Sequence, residues 1–137
     1  MLMRIAKHVK SCWTGGSTLI QKPWGSELVW KAQSSVSGKI LSIRESERTS
    51  LKYNTLKDEC LFVLDGLIEV MYGNEQTLKD PVQHPFQHAV LNPGEFLSVQ
   101  SGCPYRITAI EDSQVIEISE ARFNSRTVRI EDDYGRK

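Results

Sequence analysis

What this chain has little of already narrows its class. Its apolar runs, such as Cys60 to Leu64, are far too short to cross a bilayer, so no membrane partner is expected. Net charge is absent: 17 Lys and Arg balance 17 Asp and Glu. A nucleic-acid-binding domain would carry a basic excess and a disordered tail an acidic one, so neither is expected. Cysteine is scarce. Cys12, Cys60 and Cys103 are odd in number, far apart and without a CxxC pair, which reads as free, buried thiols in a reducing cytosol. The N-terminal stretch MLMRIAKHVKSCW lacks a continuous apolar segment, so no signal peptide is read and the expected location is cytoplasmic. Helix signals are missing as well: no three-turn stretch carries helical periodicity.

What is present is a succession of short strand candidates. Glu27 to Lys31, Gly38 to Arg44, Thr49 to Asn54, Cys60 to Leu64, Leu67 to Tyr72, Phe96 to Val99, Tyr105 to Ile110, Gln114 to Ser119 and Thr127 to Ile130 follow one another, punctuated by Gly and Pro. Regular spacing of this kind predicts an all-β sandwich or barrel. Within Tyr105 to Ile110, Ile107 and Ala109 fall on one face and Arg106 and Thr108 on the other, while Val128 and Ile130 face away from Arg129. Asp65-Gly66 between two strand candidates reads as a tight hairpin turn. Thr77 to Val90, with two prolines and two histidines, reads as a looser connection. With 137 residues and 39% hydrophobic composition, one domain with a real core is expected. It is assigned to residues 22–137, preceded by an arm, residues 1–21, which reads as a short helix or as a strand added to another sheet.

Three segments carry a family resemblance. They are KPWGSE (Lys22 to Glu27); GKILSIRESERTSLKY (Gly38 to Tyr53) running into Lys57-Asp58-Glu59; and AIEDSQVIEIS with the later VRIEDDYGR (Ala109 to Ser119, Val128 to Arg136). Together they resemble the cupins, in particular small cupins similar to the C-terminal domain of mannose-6-phosphate isomerase / mannose-1-phosphate guanylyltransferase. The resemblance implies a double-stranded β-helix, or jelly-roll barrel, with a pocket inside. It also implies a divalent metal held by two His, a Glu or Gln and a further His. At the matching positions this chain has Lys52 for Gln, Asn54 for His, Glu59 as the retained acid, and Tyr105 for the last His. Three of four ligand positions therefore carry poor metal donors.

A lone inward carboxylate is costly, so Lys52 is the expected counter-charge for Glu59, with Asn54 and Tyr105 completing a polar, metal-free pocket without a cofactor. Two uses are open. One is binding of a sugar phosphate or nucleotide sugar, alone or as an accessory domain beside a nucleotidyltransferase. The other is isomerase or epimerase chemistry with Glu59 as base, Lys52 as electrophile and Tyr105 as acid. His84 and His88 offer an alternative metal pair if their loop folds into the barrel mouth; the plainer reading is an exposed loop, as for His8 in the arm. Cys60 has the opposite strand parity to Glu59 and is placed outside the pocket, while Cys103 is placed near its rim. Trp24 and Tyr53 are read as packing residues, with stacking on a sugar ring as the alternative, Arg44 to Arg48 as an exposed charged loop, and Glu131 to Asp133 most simply as a solvated acidic turn, which its place in the family's closing motif would let tie down the terminus through Arg129 or Arg136. Cupins commonly pair, so a homodimer using the arm is expected.

Overall fold

The computed structural model describes residues 9–30, 36–120 and 124–136. The first eight positions of the arm and the last residue of the strand expected at 27–31 lie outside these. Eleven strands and no helix occur among the described residues: β1 (Thr18–Lys22), β2 (Gly25–Trp30), β3 (Val36–Ile43), β4 (Leu51–Asn54), β5 (Glu59–Asp65), β6 (Ile68–Tyr72), β7 (Gln87–Leu91), β8 (Phe96–Val99), β9 (Tyr105–Ala109), β10 (Ser113–Glu120) and β11 (Thr127–Glu131). Among the described residues no helix is long and apolar enough to cross a membrane. Alternation drives these strands. Along β10, Ser113, Val115, Glu117 and Ser119 are buried while the residues between them are exposed or half-buried.

The strands form two antiparallel sheets. One has the order β1-β2-β3-β10-β5-β8 and the other β11-β4-β9-β6-β7. Their inner faces meet in a jelly roll, as the sequence predicts. The chain switches sheet between β4 and β5 and again between β5 and β6. The hairpin expected at Asp65-Gly66 is thus corrected: β5 pairs with β10 and β8, and β6 with β7 and β9. The turn chemistry itself holds. Gly66 has φ 92°, and a Cβ there would run into Ser113 and Asp112, so only glycine turns this corner without strain. Two strands are added to those expected. β1 emerges from the arm and pairs with β2 of its own chain, and β7 lies within the stretch read as a loose connection.

A cluster of Leu41, Ile43, Leu61, Val63, Ile68, Val70, Ile107, Ala109 and Val115, sealed by Trp24 and Leu91, fills one end of the interior. Burying each large side chain contributes about 1.5–3 kcal/mol. The tail is fastened by charge. Arg48 makes two hydrogen bonds to Asp133, at 2.6 and 2.8 Å, and Arg136 holds Asp132 at 2.8 and 3.1 Å. The Tyr134 hydroxyl donates to Glu47. The acidic turn thus ties down the terminus rather than standing free in solvent, through Arg136 and, unexpectedly, through the loop around Glu47 and Arg48.

Candidate functional site

The other end of the interior is charged. The inner face of β5 runs Val63, Leu61, Glu59; of β10, Val115, Glu117, Ser119; of β3, Ile43, Leu41, Lys39; and of β9, Ala109, Ile107, Tyr105. Register aligns them. Glu117 lies opposite Lys39 on one side and Leu61 on the other, and Glu59 lies opposite Ser119. Glu59 and Glu117 are therefore diagonal neighbours on adjacent strands, with Cα atoms about 7–8 Å apart. Glu27 on β2 faces Leu41, next to Lys39. From the opposite sheet, β4 supplies Lys52 and Asn54, with Lys52 in register with Tyr105 and Arg129.

Glu59 is 5% exposed and is held from across the interior. Its Oε1 accepts hydrogen bonds from the Tyr105 hydroxyl at 2.9 Å and from the Asn54 amide. Asn54 is oriented by the Thr127 hydroxyl, which donates to its Oδ1 at 3.0 Å. Burial, the nearby Glu59 and Glu117 charges and the hydrogen bond push the Tyr105 hydroxyl well above its ordinary pKa, so it stays a proton donor at neutral pH.

Lys52 and Glu59 are not directly paired. The ion pair on Glu59 is with Lys57, 3.9 Å from Oε2. Lys52 instead sets its ammonium 5.8 Å from the Tyr105 ring centroid. Burial lowers its pKa, opposed by the charges of Glu117 first and Glu59 second. The structure thus gathers Lys52, Asn54, Glu59 and Tyr105 at one place, with the Lys52–Glu59 contact replaced by two separate cation contacts.

Four residues, Lys22, Glu27, Lys39 and Glu117, enlarge the cluster beyond what the sequence suggested. Lys39 lies 3.5 Å from Glu27 and 3.9 Å from Glu117, and Lys22 lies 3.6 Å from Glu27. Charges thus alternate from Lys22 through Glu27 and Lys39 to Glu117. Burial lowers the pKa of Lys39, but the Glu117 and Glu27 carboxylates outweigh it and hold that ammonium above its ordinary value. Glu117 is 3% exposed. Burial first, and then the Glu59 charge, push its carboxyl up to about 7. A polar residue at alternate positions of QVIEIS was the available signal, but Ile116 and Ile118 supply an equally good apolar face at the other parity.

These groups do not fit the divalent metal the resemblance implies. Oε1 of Glu59 already takes two donors, Asn54 Oδ1 takes a third, and the ammonium of Lys52 has no lone pair to give. Among the described residues no three His, Cys, Asp or Glu side chains are grouped to hold an ion. Among the described residues the two histidines are elsewhere. His88 is on the outer side of β7, 3.2 Å from Glu69, and His84 is beside Asn74 at 3.2 Å. Cys60 is on the outer face of β5, Cys103 packs against the core, and Trp24 is buried within it.

No family model matches the sequence, and no curated protein matches it. Solved structures match the fold. A vicilin from Solanum melongena superposes with TM-score 0.58 at 14% identity over 69% of this chain. An oxalate decarboxylase variant from Bacillus subtilis gives 0.63 at 12% over 76%. KdgF from Halomonas sp. gives 0.62 at 15% over 83%. The chain spans only 26% and 27% of the first two, but 96% of KdgF. These are cupin-fold proteins, and the chain has the cupin fold.

Proposed function

We propose that the charged end of the interior binds a small hydroxylated anion, a sugar phosphate or nucleotide sugar, without a bound metal ion. The observation that carries this reading is the set of inward carboxylates, Glu27, Glu59 and Glu117, interleaved with Lys39, Lys52 and Lys57 at one end of the jelly roll. Carboxylates accept hydrogen bonds from sugar hydroxyls, and ammonium groups attract a phosphate. The resemblance to small cupins related to mannose-6-phosphate isomerase supports the same ligand class. The Solanum melongena vicilin is described with different anionic ligands in structurally similar pockets, which adds support. Thermal-shift measurements with mannose 6-phosphate and GDP-mannose test the reading. A rise in melting temperature with one of them, lost in Lys52→Met, is expected; no shift with either, or one unchanged by that substitution, contradicts it. Metal analysis after refolding with Mn, Fe, Zn or Ni tests the metal-free part, which a stoichiometric ion held by Glu59 would sink.

One observation favours a second reading, as an isomerase or epimerase. Glu117, pushed up to about 7, stands beside Glu59, and its carboxyl can both give and take a proton near neutrality. In this reading a carboxylate takes the proton next to the sugar carbonyl, the C–H electron pair moves toward the carbonyl oxygen, and Lys52 or Tyr105 stabilises the charge there. Deuterium incorporation from solvent into mannose 6-phosphate, abolished in Glu59→Gln, is the expected sign. A ligand that binds without exchange leaves only the binding reading.

A further inference from the structure

The outer face of the six-stranded sheet changes character along its strands. Register puts Leu28, Ile40, Ile116 and Phe62 in one apolar row across β2, β3, β10 and β5. Nearer the Gly66 corner it lines up Gln21, Ser26, Ser42, Gln114 and Asp65, one from each of β1, β2, β3, β10 and β5. Gln21, Gln114 and Asp65 are exposed and the two serines half-buried. The row lines a cleft of about 370 Å³ with Arg44 and Asp112 at its rim, a volume within the roughly 300–1,000 Å³ range of ligand clefts. Asp65 belongs to the row because of a β-bulge. Val115 pairs with Val63 but Gln114 pairs with Asp65, so Leu64 is an extra residue in β5. By strand parity alone Asp65 would follow Glu59, Leu61 and Val63 into the interior. The bulge re-aims it beside Gln114. The floor is equally constrained: a Cβ on Gly25 would meet the Ser42 carbonyl oxygen at 1.8 Å. Ser113 accepts the Leu67 N–H at 3.0 Å and donates to the Glu111 carbonyl at 2.7 Å, which fixes the turn that carries Asp112.

We infer that this cleft is a second ligand site, on the outside of the jelly roll, and that it takes a neutral oligosaccharide lying across the strands. It shares no residue with the charged cluster of the interior. Glutamine amides and serine hydroxyls each donate and accept, which matches a sugar hydroxyl that does both. Among the described residues none of the five side chains is engaged by a protein hydrogen bond or ion pair. By contrast Ser37 and Ser119, in register on the same sheet, bond to each other at 3.0 Å. Charge disfavours an anion. The cleft holds one cation, Arg44, against the carboxylates of Asp65 and Asp112, and Arg44 already donates to the Pro23 carbonyl at 2.5 Å. Asp112 accepts the Glu45 N–H at 2.8 Å, so Asp65 is the carboxylate left to face a ligand. Spacing favours a chain over a single ring. Neighbouring strands lie about 4.8 Å apart, so the five residues cover about 19 Å, a stepping close to one pyranose unit per strand in an extended glycan. The half-buried Leu28 and Ile40 lie beside the serines and give the C–H face of a sugar ring an apolar strip to cover.

Titration of the isotope-labelled full chain with cellotriose and, separately, with mannotriose, followed in amide correlation spectra, tests the site. The side-chain amides of Gln21 and Gln114 and the backbone amides of Ser26 and Ser42 are expected to shift together with at least one of the two sugars. The shifts are expected to saturate with a Kd in the millimolar range or tighter, while Lys52, Glu59 and Tyr105 stay in place. Gln114→Ala and, separately, Gln21→Ala replace exposed side chains. Each is expected to weaken binding about fivefold, with the rest of the spectrum unchanged. No saturable shift along the row with either sugar, or an unchanged Kd in both variants, overturns the proposal. Row shifts produced by mannose 6-phosphate and by neither neutral sugar overturn it too, because they assign the cleft to anions. Shifts confined to the interior residues support the interior site and refute this one.

Discussion

Four strands of this jelly roll, β3, β5, β9 and β10, each carry apolar side chains on one stretch of their inner face and polar or charged ones on another. The two halves rest on the same backbone, yet they are held by different physics. At the apolar end, Leu61, Val63, Val70, Ile107 and Val115 are fully or almost fully enclosed and gain from every atom removed from water. At the charged end, Glu59 and Glu117 are almost as deeply enclosed, and each must recover from its cations and donors what it lost in hydration. The first half stabilises the fold. In the proposed reading the second gives up stability in order to meet a ligand.

Substitutions sharpen this contrast in order of effect. Leu61→Ala, at the apolar end of β5, is expected to cost about 3 kcal/mol in urea unfolding, largely independent of pH. A cost below about 1 kcal/mol would mean that the apolar end is not the main support. Lys39→Met removes the cation shared by Glu27 and Glu117. It is expected to cost about 2 kcal/mol at pH 8 and much less at pH 5, where Glu117 is neutral and needs no partner. Equal costs at both pH values would break the link to Glu117.

The wild-type pH profile follows with a defined sign. Glu117 is raised from 4.5 to about 7 in the folded chain, so the folded state binds the proton more tightly than the unfolded state does. Its contribution is fully present below about 4.5 and is lost as pH rises through about 7. Stability is therefore expected to fall over that window, by on the order of 3 kcal/mol. A profile rising from pH 5 to 7 would contradict it. Tyr105→Phe keeps the ring beneath Lys52 and removes only the hydrogen bond to Glu59. About 1 kcal/mol is expected from thermal melts, the smallest effect in the series.

The sequence went furthest where local pattern and long-range structure agree. Alternation put Ile107 and Ala109 on one face, parity placed Cys60 outside, and the resemblance to small cupins implied that Lys52, Asn54 and Glu59 meet in one interior. It fell short where a residue's neighbours come from distant strands. Asp65-Gly66 has the right backbone for a hairpin, but the partners of β5 are chosen by β8 and β10, far along the chain. β7 was hidden because prolines and histidines precede and occupy it. Glu117 and Lys39 were hidden for a deeper reason. In QVIEIS and GKILSIR both parities carry apolar residues, because Ile116, Ile118 and Ile40 face outward on the apolar outer sheet. A strand that is apolar on both sides does not announce which side holds its charge.

The most direct measurement takes two readings from one variant, Glu117→Gln, at pH 8: the melting temperature, and the affinity for whichever of mannose 6-phosphate and GDP-mannose binds the wild-type chain. If the charged end trades stability for binding, the melting temperature rises while the affinity falls at least several-fold. A lower melting temperature with unchanged affinity would show instead that Glu117 is a structural ion partner, and that the interior cluster is not the binding site.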